Sequence, residues 1–89
     1  MRAIVTVVGR DRVGIIAGVC VALAEKNINV LDISQTILQG MFTMMMLVDL
    51  EQSTEPFDRI EGSLLSEGER LGVSIRIQRE DMFDAMHRI

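Results

Sequence analysis

The chain opens on a run that is apolar at nearly every position from Ala3 to Val8 and closes at Gly9. A run apolar on both faces predicts a central strand, here Arg2 to Val8. Gly9-Arg10-Asp11-Arg12 is polar and turn-like, and Asp11 has the chemistry to cap a helix that begins near Arg12 or Val13. That helix runs to about Lys26, and Asn27 ends it. At 100° per residue, its apolar positions from Val13 to Ala24 sweep roughly 260°, far beyond the ~100° stripe that docks a helix on a sheet. It therefore requires two apolar neighbours. Gly14, Gly18 and Glu25 fill the remaining arc, where a second backbone has room to approach.

Ile28 to Leu38 alternates imperfectly, with Asn29, Asp32, Ser34, Gln35 and Thr36 interrupting the apolar positions, which predicts an edge strand with one wet face. Gln39-Gly40 makes a short turn into Met41 to Leu50, again apolar on both faces and paired to the preceding strand as a hairpin. A second helix starts at Ser53 to Pro56, with Thr54 or Glu55 as its cap and Pro56 in its first turn. Phe57, Ile60, Leu64 and Leu71 form its single narrow stripe, and Gly72 ends it. Val73 to Arg79 alternates cleanly as a second edge strand, and Asp81 to Ile89 places Met82, Phe83, Met86 and Ile89 at helical spacing. The order is β-α-β-β-α-β, with the two-sided strands first and third. One arrangement suits those characters: an α+β, ferredoxin-like antiparallel sheet ordered 4-1-3-2 with both helices on one face. Residues 1–79 form the domain, and residues 80–89 are an amphipathic tail that packs on it or on a partner subunit. Apolar side chains on the helix-free face call for a cover, either that tail or a second copy.

Composition narrows the function classes. The 89 residues suffice for one domain only. With 13 acidic against 9 basic residues the net charge is −4, which opposes a grip on nucleic acid through phosphates. A base-stacking surface is also missing, since the central strands carry Phe42 alone. The single Cys20 closes no intramolecular disulfide and supplies no paired metal ligands, and a reduced cytoplasmic setting follows. Neither an export signal nor a membrane span is expected, because the apolar stretch from Val13 to Ala24 falls short of the roughly 20 residues a span needs. Cys20 lies mid-helix among Val19, Val21 and Leu23, which suits a small buried hydrophobe better than a nucleophile. His87 beside Arg88 reads as a surface histidine, and Asp49, Glu51 and Glu55 as solvating carboxylates. No catalytic constellation, metal site or cofactor is expected. The 7 Met beside 3 Phe and no Trp or Tyr describe a soft, aliphatic core.

Gly9-Arg10-Asp11-Arg12-Val13-Gly14 joins a central strand to a helix N-terminus, where backbone N–H groups and the helix dipole accept a carboxylate. Asp11, with Asn29 nearby, has the chemistry to hold an ammonium group a few ångströms away, as a zwitterionic amino acid requires. The plainer reading has Asp11 capping its helix and Gly14 permitting tight packing. Both readings stand on the residues alone.

At this loop the chain resembles the ACT domain, the small regulatory module that binds amino acids in allosteric enzymes. The resemblance rests on Val7-Val8-Gly9, Asp11-Arg12-Val13-Gly14-Ile15, Ala22-Leu23-Ala24-Glu25 and Asn27-Ile28-Asn29-Val30. More narrowly, Thr6 to Arg12, Asp32 to Thr36, Phe42 to Met45 and Phe83 to Met86 are similar to stand-alone ACT proteins related to the glycine cleavage system transcriptional repressor. Many members have proline where this chain has Val13, and amino-acid binders often have Asn where it has Asp11. The resemblance implies a non-catalytic, homo-oligomeric sensor of a small amino acid acting on an unidentified protein. Its ligand would sit between subunits, on Gly9, Arg10, Asp11, Arg12, Val13, Gly14 and Ile15 of one and Asn29 and Val30 of the other. The competing expectation is an adaptor subunit that keeps the fold and has lost its ligand.

Overall fold

The computed structural model describes residues 1–81; the tail expected at Met82 to Ile89, with His87, lies outside the described residues. The elements are β1 (Arg2–Arg10), α1 (Ile15–Glu25), β2 (Asn29–Leu38), β3 (Met41–Asp49), α2 (Phe57–Leu71) and β4 (Val73–Arg79). They build one antiparallel sheet ordered β2-β3-β1-β4, the ferredoxin-like βαββαβ arrangement expected from strand character. The two strands apolar on both faces, β1 and β3, are the central pair. Arg2 pairs with Asp49, and Arg10 with Met41.

Side-chain alternation divides the sheet. Ala3, Val5 and Val7 of β1, Phe42, Met44, Met46 and Val48 of β3, and Ile75 and Ile77 of β4 face the helices and are buried. The helices meet them with Ile15, Val19, Ala22 and Leu23 of α1 and Ile60 and Leu64 of α2. Thus Met44 and Met46 are core methionines, whereas Met41 and Met45 lie exposed on the other face. Every buried side chain among the described residues is apolar.

Local chemistry explains the turns. Gln39 (φ 52°) and Gly40 (φ 79°) both take positive φ, the type I′ geometry whose twist matches a two-residue hairpin. Asn27, at φ 58°, ends α1 as foreseen. Its N–H donates to the Ala24 carbonyl and that of Ile28 to the Leu23 carbonyl, the paired bonds of a Schellman motif. Buried Leu23 and Ile28 supply the apolar contact that accompanies it.

Several expectations change. The first strand continues through Gly9 to Arg10, because Gly9 leaves space for its β4 neighbour: a Cβ built there would lie 2.7 Å from Val73 Cγ1. The first helix begins at Ile15, later than Arg12 or Val13, and Gly14, not Asp11, holds its N-cap position without any side-chain cap. At α2 the position expected for Thr54 or Glu55 belongs to Pro56, whose extended backbone (ψ 155°) lies just outside the helix and whose carbonyl accepts from Ile60 N–H. Close approach on the glycine arc of α1 occurs at Gly18, where a Cβ would lie 3.0 Å from the Leu71 methyls, and does not occur at Gly14.

The largest difference concerns β2, where only Val30 packs against the core. Its helix-side residues Ile33 and Ile37 remain 44% and 54% exposed. Contact between α1 and α2 at Gly18 draws the helices together, and α2 packs on β4, so their cover ends before β2. Consequently the second apolar face of α1 has no cover among the described residues: Ile16, Ala17, Val21 and Ala24 face outward, as does Val13 in the loop before the helix, and Cys20, expected buried, is only half-buried.

Candidate functional site

The loop between β1 and α1 is pinned at two points. Asp11 N–H donates to the Gly40 carbonyl at 2.8 Å, tying the loop to the β2–β3 turn. Arg12 reaches across the other side and donates from Nη1 to the Leu71 carbonyl, 3.3 Å away at the end of α2. Between these anchors Val13 stands out from the surface, while Ile15 is inserted into the core at 2% exposure. Gly14 takes φ 93°, ψ −1°, a left-handed turn that redirects the chain into the helix. The first intrahelical bond runs from Gly18 N–H to the Gly14 carbonyl. The N–H groups of Ile15, Ile16 and Ala17 therefore have no carbonyl ahead of them in the helix and point outward at the positive end of its dipole.

Gly14 offers a clean measurement because nothing lies within 4 Å of a Cβ built on it. Gly14→Ala is expected to cost about 1–2 kcal/mol through its left-handed backbone alone. Urea unfolding will read this as a lower midpoint with an unchanged slope; an unchanged midpoint would show that the turn relaxes freely.

Asn29 and Val30 lie elsewhere. Asn29 pairs with Asp49, which pairs with Arg2, so it sits at the end of the sheet where β1 begins. Asp11 follows the other end, where Arg10 pairs with Met41 and Met41 with Leu38. Eight ladder steps at about 3.3 Å each separate those ends by roughly 26 Å. Within one chain, then, the expected proximity of Asp11 and Asn29 does not occur. The reason is topological: β1 and β2 run parallel, and the α1 crossover returns the chain to the starting end before β2 begins. Gly9 and Arg10 are the last strand residues of β1, and Val30 is half-buried just before a bulge at Leu31. Gly40 and Leu71, which hold the loop, escaped the sequence reading. The Gln39-Gly40 turn was the available signal, since a hairpin antiparallel to β1 must turn beside the end of β1.

Two other surface features adjoin α1 and the sheet. A groove between α1 and α2 is lined by Ala17, Gly18, Val21, Ala22, Glu67 and Arg70. A hydrogen bond from Arg70 holds the Glu67 carboxyl below its ordinary pKa and raises that of Arg70 in turn. Any stability from this pair is present above the usual carboxylate range and fades as pH falls through it. On the open sheet face, a depression is lined by Ile4, Asp32, Ser34, Met45 and Leu47. Among the described residues no group of three or more His, Cys, Asp or Glu side chains is arranged to hold a metal ion, and no helix is long and apolar enough to cross a membrane.

With this geometry in place, the ACT-domain family model matches residues 2–78. The chain belongs to the ACT-domain family. Its relatives include a UPF0237 protein of Listeria monocytogenes serotype 4b, 55% identical over 89 residues and covering 100% of both chains. Among solved structures, an ACT domain protein from Streptococcus pneumoniae superposes on this ACT domain with a TM-score of 0.84 at 42% identity, covering 98% of each chain. A candidate glycine cleavage system transcriptional repressor aligns with a TM-score of 0.73 at 25% identity, over 86% of this chain and 44% of its own. The resemblance to ACT domains and to that repressor is thereby borne out, and with it the ferredoxin-like fold.

Proposed function

We propose that this ACT domain is a non-catalytic cytoplasmic sensor that binds a small amino acid between two copies of itself and relays its presence to a partner protein. The observation that carries this reading is the separation of Asp11 from Asn29 along a sheet whose β2 edge is open. Two copies related by a twofold axis can pair their β2 strands antiparallel, which brings the first residue of one strand beside the last of the other. Asn29 of one copy then approaches the Gly9–Gly14 loop of the second. The outward α1 N–H groups suit a carboxylate, and Asp11, released from capping, suits an ammonium group. The exposed side chains of Ile33 and Ile37 lie on this open edge and favour such an assembly.

A thermal-shift screen of the twenty amino acids tests the ligand. At 100 times its dissociation constant a ligand adds ~2.7 kcal/mol, which raises the melting temperature of a domain this size by roughly 10 °C or more. Asp11→Ala is expected to abolish that rise while costing the unliganded protein less than the ~1 kcal/mol of a lost helix cap. If none of the twenty shifts the melt, the ligand reading fails and the adaptor reading takes its place. Light scattering at micromolar concentration should find a dimer or larger; a monomer removes the shared site.

A further inference from the structure

The sheet face opposite the helices is a separate surface from the β2 edge. Its centre is apolar: Ile4 and Leu47 pair there, both half-buried, and Met45 and Val8 beside them remain 38% and 39% exposed. The two flanks are polar and opposite in sign. On β4, Arg76 stands in the row of Thr6 and Met45, exposed and without an ion pair among the described residues. On β2, Asp32 stands in the row of Ile4 and Leu47, exposed, its Oδ1 accepting from the neighbouring Ile33 N–H. Arg10, of the same strand parity as Ile4, adds an exposed cation to the β1 side. The charges at the other end are matched within the chain: Arg2 Nη2 lies 3.1 Å from Glu80 Oε2, and the Met1 amino group lies 4.0 Å from Asp49 Oδ1. The face is thus cationic toward β4, anionic toward β2 and apolar between them.

This pattern complements a second copy of itself. Two sheets packed face to face, about 10 Å apart, can be related by a twofold axis that runs across the strands or along them. An axis across the strands lays β4 on β4 and β2 on β2, like charge on like. An axis along the strands, midway between β1 and β3, lays β4 of one copy on β2 of the other. Each β1 residue then stands over the β3 residue with which it pairs in its own chain, so Ile4 of one copy meets Leu47 of the second. Arg76 comes to lie one row from Asp32 of the second copy, a step of about 7 Å that a long arginine side chain bridges. Four strands of about eight residues cover roughly 500 Å² per copy, or about 1,000 Å² for the pair, at the low end of specific interfaces.

We propose that a second copy of this chain docks on the open sheet face, its strands aligned with those of the first, with Arg76 of each copy paired to Asp32 of the other. At that size the contact is weaker than the β2 pair, and the charge pairs at its rim set orientation more than affinity. It leaves both β2 edges free, on opposite flanks. Copies joined through both surfaces therefore assemble beyond a dimer as concentration rises.

Charge exchange between copies tests the contact in the full chain, with the β2 edge blocked by Ile33→Lys and Ile37→Lys so that the sheet face alone remains. Sedimentation equilibrium at up to roughly 1 mM protein is expected to show a residual dimer. Arg76→Asp alone and Asp32→Arg alone should each weaken that dimer by about 10-fold or more, because each sets like charges against one another at both ends of the pair. An equimolar mixture of the two variants should associate within about 3-fold of the unreversed protein, since every reversed charge then meets its opposite. A change that merely perturbs one chain gives no such rescue in trans. Arg59→Asp mixed with Asp58→Arg places the same charge changes on exposed positions of α2 and should leave association unchanged. A monomer at the highest concentration would give the face to another occupant and overturn the proposal. Single variants that associate like the unreversed protein, a mixture no tighter than its components, or an equal gain from the α2 mixture would overturn it as well. None of these readouts uses an amino-acid ligand or the β2 edge, so failure here is distinguishable from failure of the sensor reading.

Discussion

Phe42→Ala is expected to destabilise the domain by about 3–5 kcal/mol, the cost of removing a buried aromatic side chain and leaving a cavity. Phe42 is 2% exposed at the end of β3 nearest the candidate loop, opposite Gly9 on one side and Ile37 on the other. Gly9 has no side chain to move into the vacated space, and Val73 already closes over it. Met44 and Met46 can shift, and their flexibility sets the lower end of the range. A small domain has only about 5–15 kcal/mol of net stability, so this change removes a large share of it. Urea unfolding should show a markedly lower midpoint with an unchanged slope. A loss below about 1 kcal/mol would mean that the site collapses around the smaller residue and that this end of the core is not tightly packed.

The second large effect is on assembly. Ile33→Lys combined with Ile37→Lys is expected to weaken self-association at least 100-fold, equivalent to about 2.7 kcal/mol, while leaving the monomer folded. Both residues are about half exposed in one chain, so the monomer has little to lose at either position. Covered without partners on the helix side of two paired β2 strands, the two ammonium groups would be strongly unfavourable, and lysine is a residue with which natural sheets block edge pairing. Sedimentation velocity measures the dissociation constant, and circular dichroism confirms the fold. Leu65→Lys is the control: this α2 residue is also 50% exposed but lies on the other helix, so it should leave association unchanged. If the β2 variant associates like the parent, the assembly does not use this edge and Asn29 of one copy does not meet the loop of another.

Much of the fold was legible because strand character maps directly onto sheet position. A strand apolar on both faces must be central, and an alternating one tolerates an edge. The same property made the methionines interpretable: once β3 was recognised as two-sided, its alternate residues had to divide between the core and the open face. The loop was harder. Asp11 as a cap and Gly14 as a left-handed turn are local alternatives differing by about 1 kcal/mol, too little for the nearby sequence to separate. Contacts distant in sequence separate them: Asp11 N–H with the Gly40 carbonyl, and Arg12 with the Leu71 carbonyl. The wide apolar arc of α1 did announce a second neighbour. It could not announce that the neighbour is missing from the described part of the chain.

By itself the sequence determined the element order, the sheet order, which strands are central and which loop carries the glycine turn, because hydrophobic periodicity and turn chemistry are local properties. Only the tertiary structure decided where α1 begins, how far the helices cover the sheet, and that Asp11 and Asn29 stand at opposite ends of it. Those outcomes depend on the direction in which the α1 crossover returns the chain and on the close contact of Gly18 with Leu71. Each joins residues far apart in sequence, and no local pattern encodes the distance between them.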